Sequence, residues 1–150
     1  MDDIKTEDII KEIANSCIAV RMRLLNRIIS SVFDEEIRHH GIKVSQMNIL
    51  VSVSAFGPVT SKQLCGVLHM DSSTFSRSLK RLIDKGFLKS VPSGDGKIRQ
   101  IHSTKDGVAK IESVYPDWLK AQNKAEEILG NTVKDVLISA GNKYLLEGMI

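Results

Sequence analysis

A dense set of small hydroxyls and long cations runs through the segment Asp71–Gly86: Ser72, Ser73, Thr74, Ser76, Arg77, Lys80 and Arg81. If Phe75, Leu79, Leu82 and Ile83 point inward, a helical step of about 100° per residue turns Ser73, Arg77, Lys80 and Asp84 outward, with Thr74, Ser76 and Arg81 on the flanks. Small residues at the start of such a face allow close approach to another surface. Hydroxyls can bond phosphates or base edges, and arginine can pair bidentately with guanine. This is the chemistry of a helix laid in the major groove of double-stranded DNA, with a phosphate favoured near its N-terminus. The same residues also fit a plain solvated amphipathic helix, so the neighbouring elements decide between the two.

Upstream, Thr60-Ser61-Lys62-Gln63 reads as a capping box that opens a short helix with Leu64, Val67 and Leu68 inward. Thr60 and Ser61 then join the hydroxyl set. His69-Met70 makes a turn, Asp71 caps the next helix, and Gly86 stops it. Before this pair, Ser45 is placed to cap a helix through Ser54 carrying Met47, Ile49, Leu50 and Val53, and Gly57-Pro58 breaks the chain. Downstream, Phe87–Val91 and Ile98–His102 read as strands around the turn-forming Pro92-Ser93-Gly94-Asp95-Gly96. Lys97 and Arg99 stand near the hairpin tip, within reach of phosphates or a minor groove. A capped short helix, a tight turn, a second helix and a basic-tipped hairpin is the winged helix-turn-helix order.

Long helices flank this lobe. Between residues 5 and 40, Ile10, Ile13, Cys17, Val20, Leu24 and Ile28 recur at three- and four-residue steps, and no proline intervenes before Gly41. One long helix is expected there, with more apolar surface than a small neighbour can cover, so part of it should meet a partner subunit. Val108, Ile111, Tyr115, Trp118, Gln122, Ala125 and Leu129 form a heptad-like seam. Pro116 lies inside that seam and predicts a kink or irregular turn near Val114. Gly130-Asn131 ends the helix, and a final one is expected from Thr132 to Leu146. The fold class is mainly α with a small β-hairpin wing. The expected organisation is a single unit, 1–150, with a DNA-binding lobe at 45–103 between dimerisation helices at 5–40 and 104–150.

Composition limits the alternatives. The chain has 150 residues, 42% of them hydrophobic, and a formal net charge of +3. This supports a real core and permits nucleic-acid binding, but it is not a polybasic tail. No apolar run approaches the ~18 residues of a membrane span. The opening Met1-Asp2-Asp3 lacks a signal-peptide layout, so a cytoplasmic location is expected. There is no glycine-rich phosphate loop, GxSxG, HExxH or usable Cys/His dyad, so neither an enzyme nor a cofactor is expected.

The ordered set of motifs resembles the MarR family of bacterial transcription regulators. The resemblance rests on Thr60-Ser61-Lys62-Gln63-Leu64, on Leu79-Lys80-Arg81-Leu82-Ile83-Asp84-Lys85-Gly86-Phe87-Leu88, on Asp95-Gly96-Lys97 and on Thr104-Lys105-Asp106-Gly107. It implies a homodimer whose recognition helix, Asp71–Lys85, reads a pseudo-palindromic operator with half-sites about one DNA turn apart. It also implies repression, and release or modulation by a small molecule, often aromatic or phenolic, bound between the dimer helices and the lobe. Two positions depart from the family pattern. Lys97 stands where the wing usually has arginine, which turns a forked contact into a point charge. Ser103-Thr104 replaces Leu-Thr.

Sensor candidates follow. Met22, Met47, Tyr115 and Trp118 are large and adaptable, and are candidates for an effector pocket, although the same spacing suits plain core. Cys17 is a candidate redox thiol, which makes a thiol-sensing regulator one alternative. A winged-helix module for protein contacts is the other. A metal site is not expected: His39 and His40 are helical neighbours that point about 100° apart, although Glu36 and His40 at i, i+4 could share an ion.

Overall fold

A computed structural model describes residues 5–147, so the N-terminal Met1-Asp2-Asp3 and the last three residues of the expected 1–150 unit lie outside the described residues. Seven α-helices and one hairpin follow one another: α1 (Thr6–Ser16), α2 (Ile18–Ile37), a 3-10 turn (Arg38–His40), α3 (Val44–Phe56), α4 (Ser61–Val67), α5 (Ser72–Asp84), β1 (Leu88–Pro92), β2 (Arg99–Ser103), α6 (Lys105–Leu129) and α7 (Asn131–Glu147). The expected fold class, mainly α with a β-hairpin wing, is what is found. None of the described helices is long and apolar enough to cross a membrane.

The single helix expected over residues 5–40 is two. Cys17 adopts φ −63° and ψ 109°, an extended conformation that redirects the chain between α1 and α2. The break frees carbonyls at the end of α1. The Arg21 guanidinium takes one of them, donating to Ala14 O at 3.2 Å, and also donates to Cys17 O, the cap carbonyl of α2, at 3.0 Å. No periodicity rule sees such a local side-chain substitute. Gly41, at φ 69°, ends the segment as expected.

Ser45 does not cap α3. Lys43 holds the cap position, and the Gln46 side chain accepts from its N–H at 3.0 Å. Asp34 of α2 accepts from Val44 N at 2.7 Å, so a residue distant in sequence supplies the partner that Ser45 was expected to be.

The core of the lobe gathers Ile49, Leu50 and Val53 of α3, Phe75 and Leu82 of α5, Leu88 of β1 and Ile101 of β2, with Val114 of α6 closing it. The hairpin is antiparallel with Ser90 opposite Ile101 and Pro92 opposite Arg99. Val59 pairs with Ile101 through two backbone hydrogen bonds, fixing the wing to the strand-like entry of α4. A second cluster joins α2 to α6, where Phe33 packs with Ala121 and Ala125 and its ring lies 6.1 Å from that of Trp118.

The inward face of α6 keeps part of the expected seam, with Ala125 buried and Ile111 and Trp118 packed half-buried against the core, and loses its Val108 and Tyr115 positions. Gly107, Val114, Ala121 and Ala125 are buried, while Val108 and Tyr115 are exposed. Two small alanines let α2 approach closely, and that approach chooses the face over apolar bulk. Pro116 does not interrupt α6. It and Glu112, whose carbonyl loses its usual donor, both lie on the exposed side, where solvent can replace the missing bond.

Candidate nucleic-acid interface

The entry to α4 is the expected capping box. Thr60 Oγ1 accepts from Gln63 N at 3.1 Å, and Gln63 Oε1 accepts from Thr60 N at 3.0 Å. Leu64 and Val67 then face the core. The turn is tight: Met70 N donates to Cys65 O at 3.3 Å, and His69 adopts φ 49°. A left-handed histidine is uncommon and here reverses the chain between two helices. Cys65 Sγ donates to Met70 O at 3.2 Å, which ties the thiol to the turn.

Asp71 caps α5, its carboxylate accepting from Thr74 N and from Ser73 Oγ, each at 2.9 Å. Bonding to the Thr74 side chain and amide, then to Ser73, lowers its pKa to about 2, with the Arg77 charge adding a little. A carboxyl whose pKa is depressed by folding contributes stability above its unfolded value, near 4. That contribution is lost as pH falls through the folded value. The start of α5 is therefore expected to loosen between about pH 4 and pH 2. Carboxyl NMR titration of Asp71 should give the low midpoint. Asp71→Asn should keep the cap and remove this share of the acid dependence; a midpoint near 4 would contradict the reading.

Phe75, Ser78, Leu79 and Leu82 are the buried positions of α5. Ser78 was not anticipated, although it stands three residues after Phe75 on the same face; its polarity hid it. Ser72, Ser73, Ser76, Arg77, Lys80 and Arg81 are exposed, and Thr74 is half-buried. Their internal ties are loose. Lys80 pairs with Asp84 at 2.7 Å on the surface, and Arg77 Nη2 lies 3.4 Å from Thr74 Oγ1. Exposed pairs of this kind hold little energy and release readily to a phosphate or base. Between α4 and α5 lies a hollow of about 620 Å³, at which Ser61, Lys62, Ser72 and Ser76 meet. The structure thus brings the α4 start and the α5 face together.

The wing is less uniform. Asp95 organises its tip, accepting from Ser93 Oγ at 2.8 Å and from Lys97 N at 3.1 Å. Lys97 is exposed there. Arg99 folds back across the hairpin, donating to Ser90 Oγ at 2.9 Å and to Ser90 O at 2.7 Å. Its cation is thereby drawn away from the tip, and Lys97 is the cation left at the tip.

The effector-pocket candidates divide, with Trp118 packed against the core that holds Met47 and Met22 beside a separate hollow. Met47 is buried in the lobe core. Met22 borders a hollow of about 200 Å³ with Leu25, Ile29, Leu129 and Leu137. Tyr115 is exposed and stacks on Trp118 at 6.0 Å. Cys17 is half-buried at the α1–α2 break. His39 and His40 do not diverge as expected. Their rings lie 4.1 Å apart, and both reach Asp117 of α6. The 100° rule describes Cβ directions, and two further side-chain torsions bring the imidazole tips together. Glu36, which at i, i+4 could have shared an ion with His40, is bonded to Lys124.

The capped short helix, left-handed turn, exposed hydroxyl–cation helix and pinned hairpin define a winged helix-turn-helix protein. The MarR family model matches residues 40–97, the span from the end of the 3-10 turn to the wing tip. Over that span the chain is similar to the MarR family. It is 27% identical over 129 residues to the multiple antibiotic resistance protein MarR of Salmonella typhimurium, covering 85% of this chain and 81% of that one. Among solved structures it is similar in fold to a MarR variant from E. coli complexed with operator DNA, with a TM-score of 0.75, 19% identity and 89% and 97% coverage. It is also similar in fold to BpsR of Bordetella bronchiseptica, whose DNA binding is regulated by 6-hydroxynicotinic acid, with a TM-score of 0.74, 15% identity and 85% and 98% coverage.

Proposed function

We propose that this chain is a sequence-specific DNA-binding transcription regulator, a repressor working as a homodimer in the cytoplasm, with α5 as the reading helix of each protomer. One observation carries the reading: α5 turns Ser72, Ser73, Ser76, Arg77, Lys80 and Arg81 to solvent while its other face is locked into the lobe. Thr60 and Ser61 at the start of α4 serve as phosphate contacts, and Lys97 serves the wing. The operator complex of the MarR variant supports the same use of this fold. In the division proposed here, residues 45–103 read DNA, and residues 5–40 and 104–150 join the protomers.

Exposed apolar residues support the homodimer. Ile10, Ile13 and Ile18 near the α1–α2 break, and Val136 and Tyr144 on α7, are each more than half exposed in the single chain. Apolar surface of this extent marks a partner surface. A small aromatic acid is proposed as effector, on the strength of the BpsR likeness.

The test is binding to the DNA upstream of the chain's own gene across a salt series. Each neutralised phosphate should contribute about −0.9 to the slope of log affinity against log salt, so several contacts give a steep decline. Binding that is absent, or indifferent to salt, would overturn the proposal.

A further inference from the structure

Away from α5, three ligand-bearing side chains converge where the 3-10 turn meets α6. His39 Nε2 lies 3.0 Å and His40 Nε2 2.9 Å from the same atom, Asp117 Oδ2. All three ligand atoms lie within 4.8 Å of one another. Lys120 Nζ holds the other carboxylate oxygen, Oδ1, at 2.6 Å, which leaves Oδ2 for the histidines. The two carboxylate oxygens of Asp117 are thus divided, Oδ1 to the lysine and Oδ2 to the two imidazoles.

A clamp between the turn and α6 needs one imidazole on Asp117, and His40 already supplies it from a half-buried position. His39 adds a second imidazole, 63% exposed, to the same oxygen. Two imidazoles and one carboxylate form the donor set of borderline divalent ions, as distinct from the all-oxygen sets of magnesium and calcium. The spacing agrees. A tetrahedral ion at about 2.0–2.1 Å from each ligand holds the ligand atoms about 3.3 Å apart. The two gaps to Asp117 therefore need to open by only a few tenths of an ångström, and the two imidazoles, within 4.8 Å of each other, need to settle at that same spacing. The exposed side of His39 leaves the fourth position to water.

We propose that His39, His40 and Asp117 form a binding site for a divalent transition-metal ion of the zinc class, with three protein ligands and one position open to solvent. The ion ties the end of α2 to the middle of α6, the helices on either side of the lobe. Lys120 and Lys124 stand close by and weaken the site relative to one without cations. Both are on the surface and retain their acidic partners, Asp117 Oδ1 and Glu36.

The test uses the metal-stripped full chain, titrated with Co²⁺ by visible absorption and with Zn²⁺ against a chromogenic chelator. No DNA is present, so the outcome is independent of the DNA-binding reading. The expected result is one ion per chain, a four-coordinate cobalt band, and its displacement by Zn²⁺. His39→Ala and His40→Ala should each lower affinity at least tenfold, since losing even a residue that merely supports a ligand costs about 10–100-fold. His69→Ala, which removes a histidine outside the cluster, should change nothing. His39 is exposed enough that its variant keeps the fold, which the thermal midpoint without metal verifies. Failure to take up one equivalent, or equal affinity in the wild type and both variants, overturns the proposal.

Discussion

Arg77→Ala is expected to weaken binding to the cognate operator by about 1–3 kcal/mol, roughly 5- to 150-fold, and to relax discrimination at the base it contacts. The side chain stands on the exposed face of α5, tied only by the 3.4 Å contact to Thr74 Oγ1. Truncating it therefore leaves the buried side of the helix, Phe75 and Ser78 included, as it was. The loss belongs to a guanidinium fork that can take two acceptors of one guanine. Lys80→Ala provides the contrast. A lysine directed to phosphate should weaken all sequences about equally and reduce the salt slope by roughly 1. Fluorescence anisotropy with operator and scrambled duplexes separates the two. An Arg77→Ala chain that discriminates as well as the wild type would remove Arg77 from the reading surface.

Gly107→Ala should destabilise the fold by about 3 kcal/mol, the upper end of what overpacking usually costs. A Cβ at position 107 would lie 2.2 Å from Phe87 O, 3.0 Å from Phe87 C and 3.2 Å from Leu50 Cδ1. The obstacle is backbone, and it is held. Phe87 O accepts from Thr104 N at 3.1 Å, and Thr104 Oγ1 donates to Gly86 O at 2.6 Å while accepting from Gly107 N at 3.0 Å. Alanine's advantage of about 0.8–1.0 kcal/mol within a helix cannot offset that clash. For a chain of this size the thermal midpoint should fall by roughly 6–12 °C. Gly66→Ala is the control: nothing lies within 4 Å of a Cβ there, so that variant should be neutral or gain up to about 1 kcal/mol. A Gly107→Ala protein as stable as the wild type would mean that α6 can lift off Phe87 without penalty.

The parts of the fold governed by short-range chemistry were legible from residues alone. The Thr60–Gln63 box, the Asp71 cap, the stop at Gly86 and the hairpin each depend on neighbours within four residues or on a familiar turn cluster. The outward set on α5 followed from a strong apolar stripe. What escaped depended on side chains arriving from elsewhere. Asp34 and Gln46, rather than Ser45, satisfy the start of α3. Arg21 stabilises a break at Cys17 that apolar spacing runs straight through. On α6 the expected seam included Ala125, Ile111 and Trp118 but passed over the small Ala121 facing Phe33 and turned the exposed Val108 and Tyr115 inward. The candidate site was legible on its helix and less so on its wing, because the Ser90–Arg99 contact joins side chains from opposite strands. The meeting of His39 and His40 with Asp117, across 77 residues, has no counterpart in local spacing.

α1 has no buried residue within the single chain. At 11 residues it also falls short of the ~12–15 below which an isolated helix is marginal in water. Its order therefore depends on whatever covers Ile10 and Ile13, and in the proposed assembly that is a second copy. The formation of this helix becomes a bimolecular event. By mass action, the fraction of chains with α1 folded rises with protein concentration. The cell's copy number then sets how many molecules possess a complete N-terminal arm, as well as how many operators are filled.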